Sequence, residues 1–440
     1  MFSPTTYTER RKRLAQLVGS GLILLPGNGE AAMNYRGNTY PFKQDSNFRY
    51  FAGHNQPDLV LTIDAATGES HLYGDDLTLD DIVWMGEHPS TAELAERIGA
   101  RAGGSLEDLA QLLKTAKNVH YLPPYREARQ RHIEEWLGEG TAPSKELIRA
   151  VVELRSVKSA EEIAEMERAV RTSLKMHEAA RAQTKPGMTE AEVAGLIEGI
   201  AISGGGRLSY PAIVTRNGHI LHNHYHGNTL QEGDLLLIDA GAETPTGYAG
   251  DLTRTFAVGR EMDERQQAVY DIVNDAKERV IKAIRPGVAY RDLHDQSARI
   301  IVDGLKELGL MRGDTNEAVA AGAHALFYPH GLGHMIGLDV HDMEDLGEDF
   351  VGYDDRIKRS PLFGTRNLRL GRELREGFVV TVEPGIYFIP TLIDRWREEN
   401  NHTQFIDYEA VAAYRNFGGI RLEDDVVVTG GGARVLGKSE

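Results

Sequence analysis

ELRSVKSAEEIAEMERAVRTSLKMHEAARAQTKPG, residues 153–187, reads as a domain boundary followed by a long helix with both ends marked. Ser159 and Glu162 form the S-x-x-E capping box of a helix start. Ile163, Met166, Val170 and Leu174 follow at helical spacing. Lys185-Pro186-Gly187 must end the helix, because proline lacks the N–H and glycine accepts the left-handed turn. Thr189 and Glu192 repeat the capping box and open a second helix. The punctuation then returns: ERQQAVYDIVNDAKERVIKAI ends at Arg285-Pro286-Gly287, and a helix around RDLHDQSARIIVDGLKEL follows. A β-rich segment comes after each copy. We read an internal duplication, two αβ halves facing each other across a shared site. Pro-Gly is common helix punctuation, so chance recurrence is the competing explanation.

Upstream, residues 1–155 alternate short apolar runs (GLILLPG, LVLTIDAATGESHLYG) with helical stretches such as TAELAERIGA. That is an α/β pattern without a catalytic constellation. The chain therefore divides into an N-terminal α/β domain, 1–155, and a duplicated catalytic domain, 156–440. At 440 residues and a formal net charge of −17, the chain offers no basic face for nucleic acid or an anionic membrane. Without cysteine, disulfides and thiolate chemistry are excluded. MFSPTTYTERRKRLAQL has no apolar stretch behind its basic residues, and no run approaches a membrane span. A cytoplasmic enzyme is the expectation.

Asp239, Asp251, His334, Glu383 and Glu423 concentrate the chemistry, in LLLIDAG, GYAGDLTRT, PHGLGHMIGLDVHD, FVVTVEPGIY and GGIRLEDDVVVT. LLLIDAGAETPTGYAGDLTRTF reads as a hairpin that brings Asp239 and Asp251 together, although turn-capping aspartates give the same pattern. Glu383 ends an apolar strand, and Glu423 lies within a strand pattern followed by three valines. A buried glutamate needs a partner; Arg421 is the bland one, or a support behind Glu423. Two glycines after a proline make a helix improbable around His330 and His334, so the segment reads as strand-like. The H-E-x-x-H zinc motif is absent. Four carboxylates and an imidazole gathered without a cation would cost several kcal/mol per unpaired charge, on the order of 3–5. A pair of divalent ions reverses that sign and forms a hydrolytic centre. The oxygen-rich donor set favours manganese, with cobalt, iron or zinc as alternatives. Within GHILHNHYHGN, His222 follows the apolar pair Ile220-Leu221 at an expected strand end, just upstream of the Asp239 strand.

These motifs, with YPFKQDSNFRYFAGHNQPD near the N-terminus, resemble those of the aminopeptidase P and prolidase family, whose members cleave Xaa-Pro bonds with bound metal. The resemblance implies a pita-bread catalytic fold with a pseudo-twofold, behind an N-terminal domain of the creatinase/prolidase type that serves oligomerisation and site access. It implies that Asp239 holds one metal, that Asp251 and Glu423 bridge two, and that His334 and Glu383 complete the second. It assigns His222 and His341 to substrate and the tetrahedral intermediate, His330 to the active site, and Glu383 to proton shuttling as well. It implies peptides with proline at the second position as substrates and a homodimer or homotetramer as the assembly. Arg369, in NLRLGREL, resembles the arginine with which prolidases bind a substrate carboxylate, and Arg421 is a second substrate-side candidate. The expected activity is Xaa-Pro dipeptidase, with aminopeptidase P action on longer peptides as the alternative. A metal-free binding module of the same fold is the remote reading, and such modules typically lose ligands that this chain keeps.

Overall fold

The computed structural model of the chain describes residues 1–438, which form two compact units. The first comprises Met1–Arg155 together with Met343–Phe350. Its five-stranded sheet runs Arg101–Gly104, Ser70–Tyr73, Val60–Asp64, Leu22–Pro26, Val119–Tyr121. The two outer pairings are parallel and the inner two antiparallel. Leu24, Val60, Tyr73, Leu109, Leu113, Tyr121 and Ile133 form a buried cluster between sheet and helices. Arg11 is buried in the helix Pro4–Val18 and donates to the carbonyls of Phe51 (2.9 Å) and Ile98 (2.6 Å). Both carbonyls lie at helix C-terminal ends, where the macrodipole favours a cation.

The second unit, Ser156–Asp342 with Val351–Glu440, carries the duplication. Helix Ala160–Gln183 starts on the Ser159/Glu162 capping box, and Glu190–Ser203 on Thr189/Glu192. Their counterparts are Glu264–Ala283 and Tyr290–Glu307. Both linker glycines take positive φ, Gly187 at 92° and Gly287 at 86°. Beyond the linkers, Leu230-Gln-Glu-Gly233 and Leu374-Arg-Glu-Gly377 each introduce an apolar strand ending in an acid, Asp239 and Glu383. Their hydrogen bonds repeat. Gly187 N–H donates to Leu230 O and Gly287 N–H to Leu374 O, both 2.8 Å; Leu230 N–H returns to Met188 O and Leu374 N–H to Val288 O, again 2.8 Å. Gly233 and Gly377 share φ 84°. Chance recurrence of Pro-Gly does not produce matched bonds of this kind.

The strand Leu235–Asp239 lies between Ile213–Thr215 and Thr253–Ala257, antiparallel to both. In the second half Val379–Val382 pairs antiparallel with Asp424–Thr429. Thr253 and Glu423 form an antiparallel bridge where the two sheets meet. Among the described residues no helix is long and apolar enough to cross a membrane.

An added Cβ at Gly187 or Gly287 would meet nothing within 4 Å, so only the left-handed backbone opposes a side chain there. Gly187→Ala and Gly287→Ala should each cost about 1–2 kcal/mol in urea unfolding, and by similar amounts, because the two turns are equivalent.

Candidate active site

The seam between the halves gathers the acids. Asp239 ends its strand, and Glu383 follows directly on Val379–Val382. Glu423 sits where the chain leaves the strand Gly419–Arg421 and enters Asp424–Thr429, changing sheets. Asp251 lies two residues before the return strand, not within it, and the connection carries a short strand of its own, Ala242–Glu243. The His334 segment is irregular rather than a strand, but it is strapped to one. Thr381 N–H donates to His334 O (3.0 Å) and Glu383 N–H to Leu332 O (2.8 Å). Its glycines let the backbone come this close: a Cβ on Gly333 would lie 2.3 Å from Thr381 O.

His334 Nδ1 lies 3.0 Å from Met335 O, so Nδ1 carries the proton and Nε2 keeps its lone pair. Nε2 faces Asp251 Oδ2 and Glu383 Oε1, each at 3.5 Å. One ligand-type atom from each of Asp251, His334 and Glu423 falls within 4.8 Å of the other two. Glu423 accepts from Thr253 Oγ1 at 2.6 Å, and Asp251 N–H donates to the buried Asp425 at 2.9 Å. Tyr210 was not singled out in the sequence, yet its hydroxyl touches Asp239 Oδ1 (2.6 Å) and also Asp251. One hydroxyl proton cannot serve two carboxylates, so the pair calls for a further positive charge.

Arg421 does not partner Glu423. Its guanidinium reaches Asp239 Oδ2 at 2.5 Å, the Tyr387 hydroxyl at 2.9 Å and Thr253 Oγ1 at 3.2 Å. With its side chain 4% exposed, it braces Asp239. His330 continues this chain: Nδ1–H donates to Gly331 O and Nε2 accepts from Tyr387 Oη, both 2.8 Å. Both ring nitrogens are thus committed. Burial pushes this imidazole down to about 3, so it stays neutral. His341 lies edge-on to His334, ring centroids 4.3 Å apart. His222 occupies a turn instead of a strand end. Partial burial and the nearby Arg421 lower its pKa, with Arg369 and His341 acting in the same direction. Arg369 is half-buried, and its charge acts on His222, His330 and Glu383.

The electrostatics test whether cations fit. Burial and the charge of Asp239 push Asp251 up to about 7. Burial, opposed by Arg421 and reinforced by Asp251, pushes Glu383 up to about 8. Glu423 is driven well above the carboxylate range by burial and by Asp251 and Glu383. Hard oxygen donors, a lone-pair imidazole nitrogen and uncompensated negative charge suit divalent cations.

Twofold-related αβ halves with this donor set at their seam define a metallohydrolase. Residues 164–430 match Metallopeptidase family M24, and residues 7–122 match Aminopeptidase P, N-terminal domain. Human Xaa-Pro dipeptidase is 32% identical, over 97% of this chain and 88% of its own length. Escherichia coli Xaa-Pro aminopeptidase is 33% identical, over 96% and 92%. The solved structure of E. coli aminopeptidase P with the inhibitor Pro-Leu superposes with a TM-score of 0.81 at 32% identity, over 99% of this chain and 95% of that one. The chain belongs to metallopeptidase family M24, a family of divalent-metal enzymes, and has its pita-bread fold.

Carboxyls held above their ordinary range make the metal-free folded protein bind more protons than the unfolded chain. Its stability must then fall as pH rises through about 7 to 8. The buried histidines His177, His294, His324 and His330, lowered to about 3 to 4 in the fold, act the other way while the unfolded chain's imidazoles still bind protons, and have little left to contribute above about pH 7.5. Thermal unfolding after chelation should show a lower midpoint at pH 8.5 than at pH 6.5, and manganese should abolish the difference. A midpoint that rises with pH would contradict this electrostatic picture.

Proposed function

We propose that this chain hydrolyses the peptide bond preceding proline and prefers Xaa-Pro dipeptides. The observation that carries the reading is the convergence of Asp239, Asp251, His334, Glu383 and Glu423 at the seam of an M24 fold. Relatives on both sides are Xaa-Pro enzymes, dipeptidases and aminopeptidases alike. In this reading Asp239 would hold one cation and His334 and Glu383 a second, with Asp251 and Glu423 contributing to both. Manganese suits the oxygen-rich set best, with cobalt, iron and zinc as alternatives; a zinc-substituted E. coli aminopeptidase P is among the similar structures. Bound there, such cations supply Lewis acidity and bring the pKa of water toward about 7.

The chain's own groups do the rest. Glu383 takes the proton of the attacking water and hands it to the leaving nitrogen. His341 and His222 donate hydrogen bonds to the carbonyl oxygen and to the substrate backbone as charge develops. His330 and Tyr387 keep Arg421 on Asp239. Proline's nitrogen has no hydrogen to offer, so a site that demands no amide donor there selects it.

Arg369 favours the dipeptidase reading. In this reading a guanidinium whose charge is felt by His222, His330 and Glu383 would pair with the free carboxylate of a C-terminal proline. The likeness to E. coli aminopeptidase P, over 95% of that chain, supports the second reading, action on longer peptides. We further infer a cytoplasmic homodimer or homotetramer. The helix Leu79–Met85 leaves Leu79 77%, Val83 73% and Trp84 87% exposed, an apolar surface suited to self-association.

Gly-Pro and Gly-Pro-Ala, assayed with manganese, test this. Arg369→Ala should lower kcat/KM on Gly-Pro by about tenfold to a hundredfold, the worth of a charge-assisted contact, and leave Gly-Pro-Ala within about threefold. Equal effects on both substrates would sink the dipeptidase reading. Hydrolysis of neither by the unaltered chain would sink the Xaa-Pro reading.

A further inference from the structure

Lys158 and Asp342 form an ion pair, Nζ to Oδ2 3.0 Å, with both side chains 1% exposed. So deep a pair is weak evidence for stability, since desolvation offsets the attraction. Its location indicates a different use. Asp342 directly follows His341 and closes the loop that began at His334. Asp342 N–H donates to Met335 O at 2.9 Å, and Asp339 N–H reaches Asp342 Oδ1 at 3.3 Å. Glycine at 337 leaves room for this carboxylate, because a Cβ there would lie 2.5 Å from Asp342 Oδ2. Lys158 is held from the other side: its N–H donates to Gly377 O at 2.8 Å, at the turn leading into the strand that straps His334. It also immediately precedes the capping box of the helix Ala160–Gln183.

The duplication sharpens the point. Gly218-His-Ile-Leu-His222-Asn223 in the first half matches Gly337-Leu-Asp-Val-His341-Asp342 in the second. Asn223 is neutral, and its amide donates to Thr215 Oγ1 at 2.9 Å. Where the first half uses a local amide contact, the second uses a charge anchored on an element distant in sequence.

We propose that Lys158 is a positioning residue for His341. Its ion pair pins the turn that sets the His341 ring against His334, and so fixes the imidazole that meets the substrate carbonyl. The activity part of the test rests on the Xaa-Pro reading; the spectroscopic part does not.

The variants are Lys158→Met, Lys158→Met with Asp342→Asn, and Lys158→Arg. The double variant leaves no stranded charge. It should lose at least about tenfold in kcat on Gly-Pro with KM within about threefold, as a misplaced group does. Lys158→Arg, which keeps the pair, should retain most of kcat. In metal-free chain labelled with 15N-histidine, the His341 ring resonance, shifted by the adjacent His334 ring, should move toward that of a free imidazole in the double variant. A double variant with unaltered kcat and unaltered ring resonance overturns the proposal. So does Lys158→Arg losing as much as Lys158→Met. Should neither methionine variant fold, Lys158→Arg decides: retained kcat and ring resonance support the ion pair, and loss of both overturns it. If the unaltered chain does not turn over Gly-Pro, the substrate reading is what fails, and the ring resonance alone judges Lys158.

Discussion

Mutual repulsion among buried carboxylates is the constraint around which the second unit is organised. Asp251 and Glu423 are almost fully excluded from solvent, and Asp239 and Glu383 are largely covered, with side chains 13% and 19% exposed. Arg421 neutralises Asp239 and leaves the rest. Groups of this kind either take up protons or hold cations. Here the local hydrogen bonds are spent on keeping them in place. Thr253 holds Glu423, Asp425 holds the Asp251 backbone, and Tyr210 spans Asp239 and Asp251. A cluster oriented at this cost is built for a ligand that returns the energy, and divalent metal does so.

The pseudo-twofold explains how one fold assembles such a site. Asp239 and Glu383 are equivalent positions in the two halves. Asp239 pairs with Thr253, and the ladder joining Val382 to Asp424 leads one step further to Glu383 opposite Glu423. Thr253 and Glu423 are therefore mates, and they bridge each other across the axis. By the same register Asp251 and Arg421 are mates. Symmetry of backbone is thus kept while symmetry of charge is broken. Arg421 faces Asp239 on one side, and Asp251 lies with His334 and Glu383 on the other. His222 and His341 are a further matched pair, one in each half.

Much of this was legible in the chain. The capping boxes at Ser159 and Thr189 and the Pro-Gly turns announce their geometry through residues with few conformational options. Glu383 and Glu423 stand out because a carboxylate has no packing reason to follow FVVTV or precede VVV. What could not be read depends on contacts distant in sequence. Arg421 sits two residues from Glu423 but spends its charge on Asp239, 182 residues away. The His334 segment looks strand-like because it runs along a strand, yet its glycines admit close approach without a regular ladder. His222 follows an apolar pair and still falls in a turn. Tyr210 carried no motif of its own. A signal was nevertheless present in Tyr210-Pro211 and Tyr328-Pro329, which open matching segments in the two halves, and in the L-x-E-G repeat before each acidic strand end.

The most direct test of the account is anomalous diffraction from crystals grown with manganese. Two peaks should appear at the seam, within reach of Asp239, Asp251, His334, Glu383 and Glu423, and Glu423→Gln should weaken both. An ordered structure whose seam holds no anomalous peak, with the five side chains turned away from one another, would contradict it.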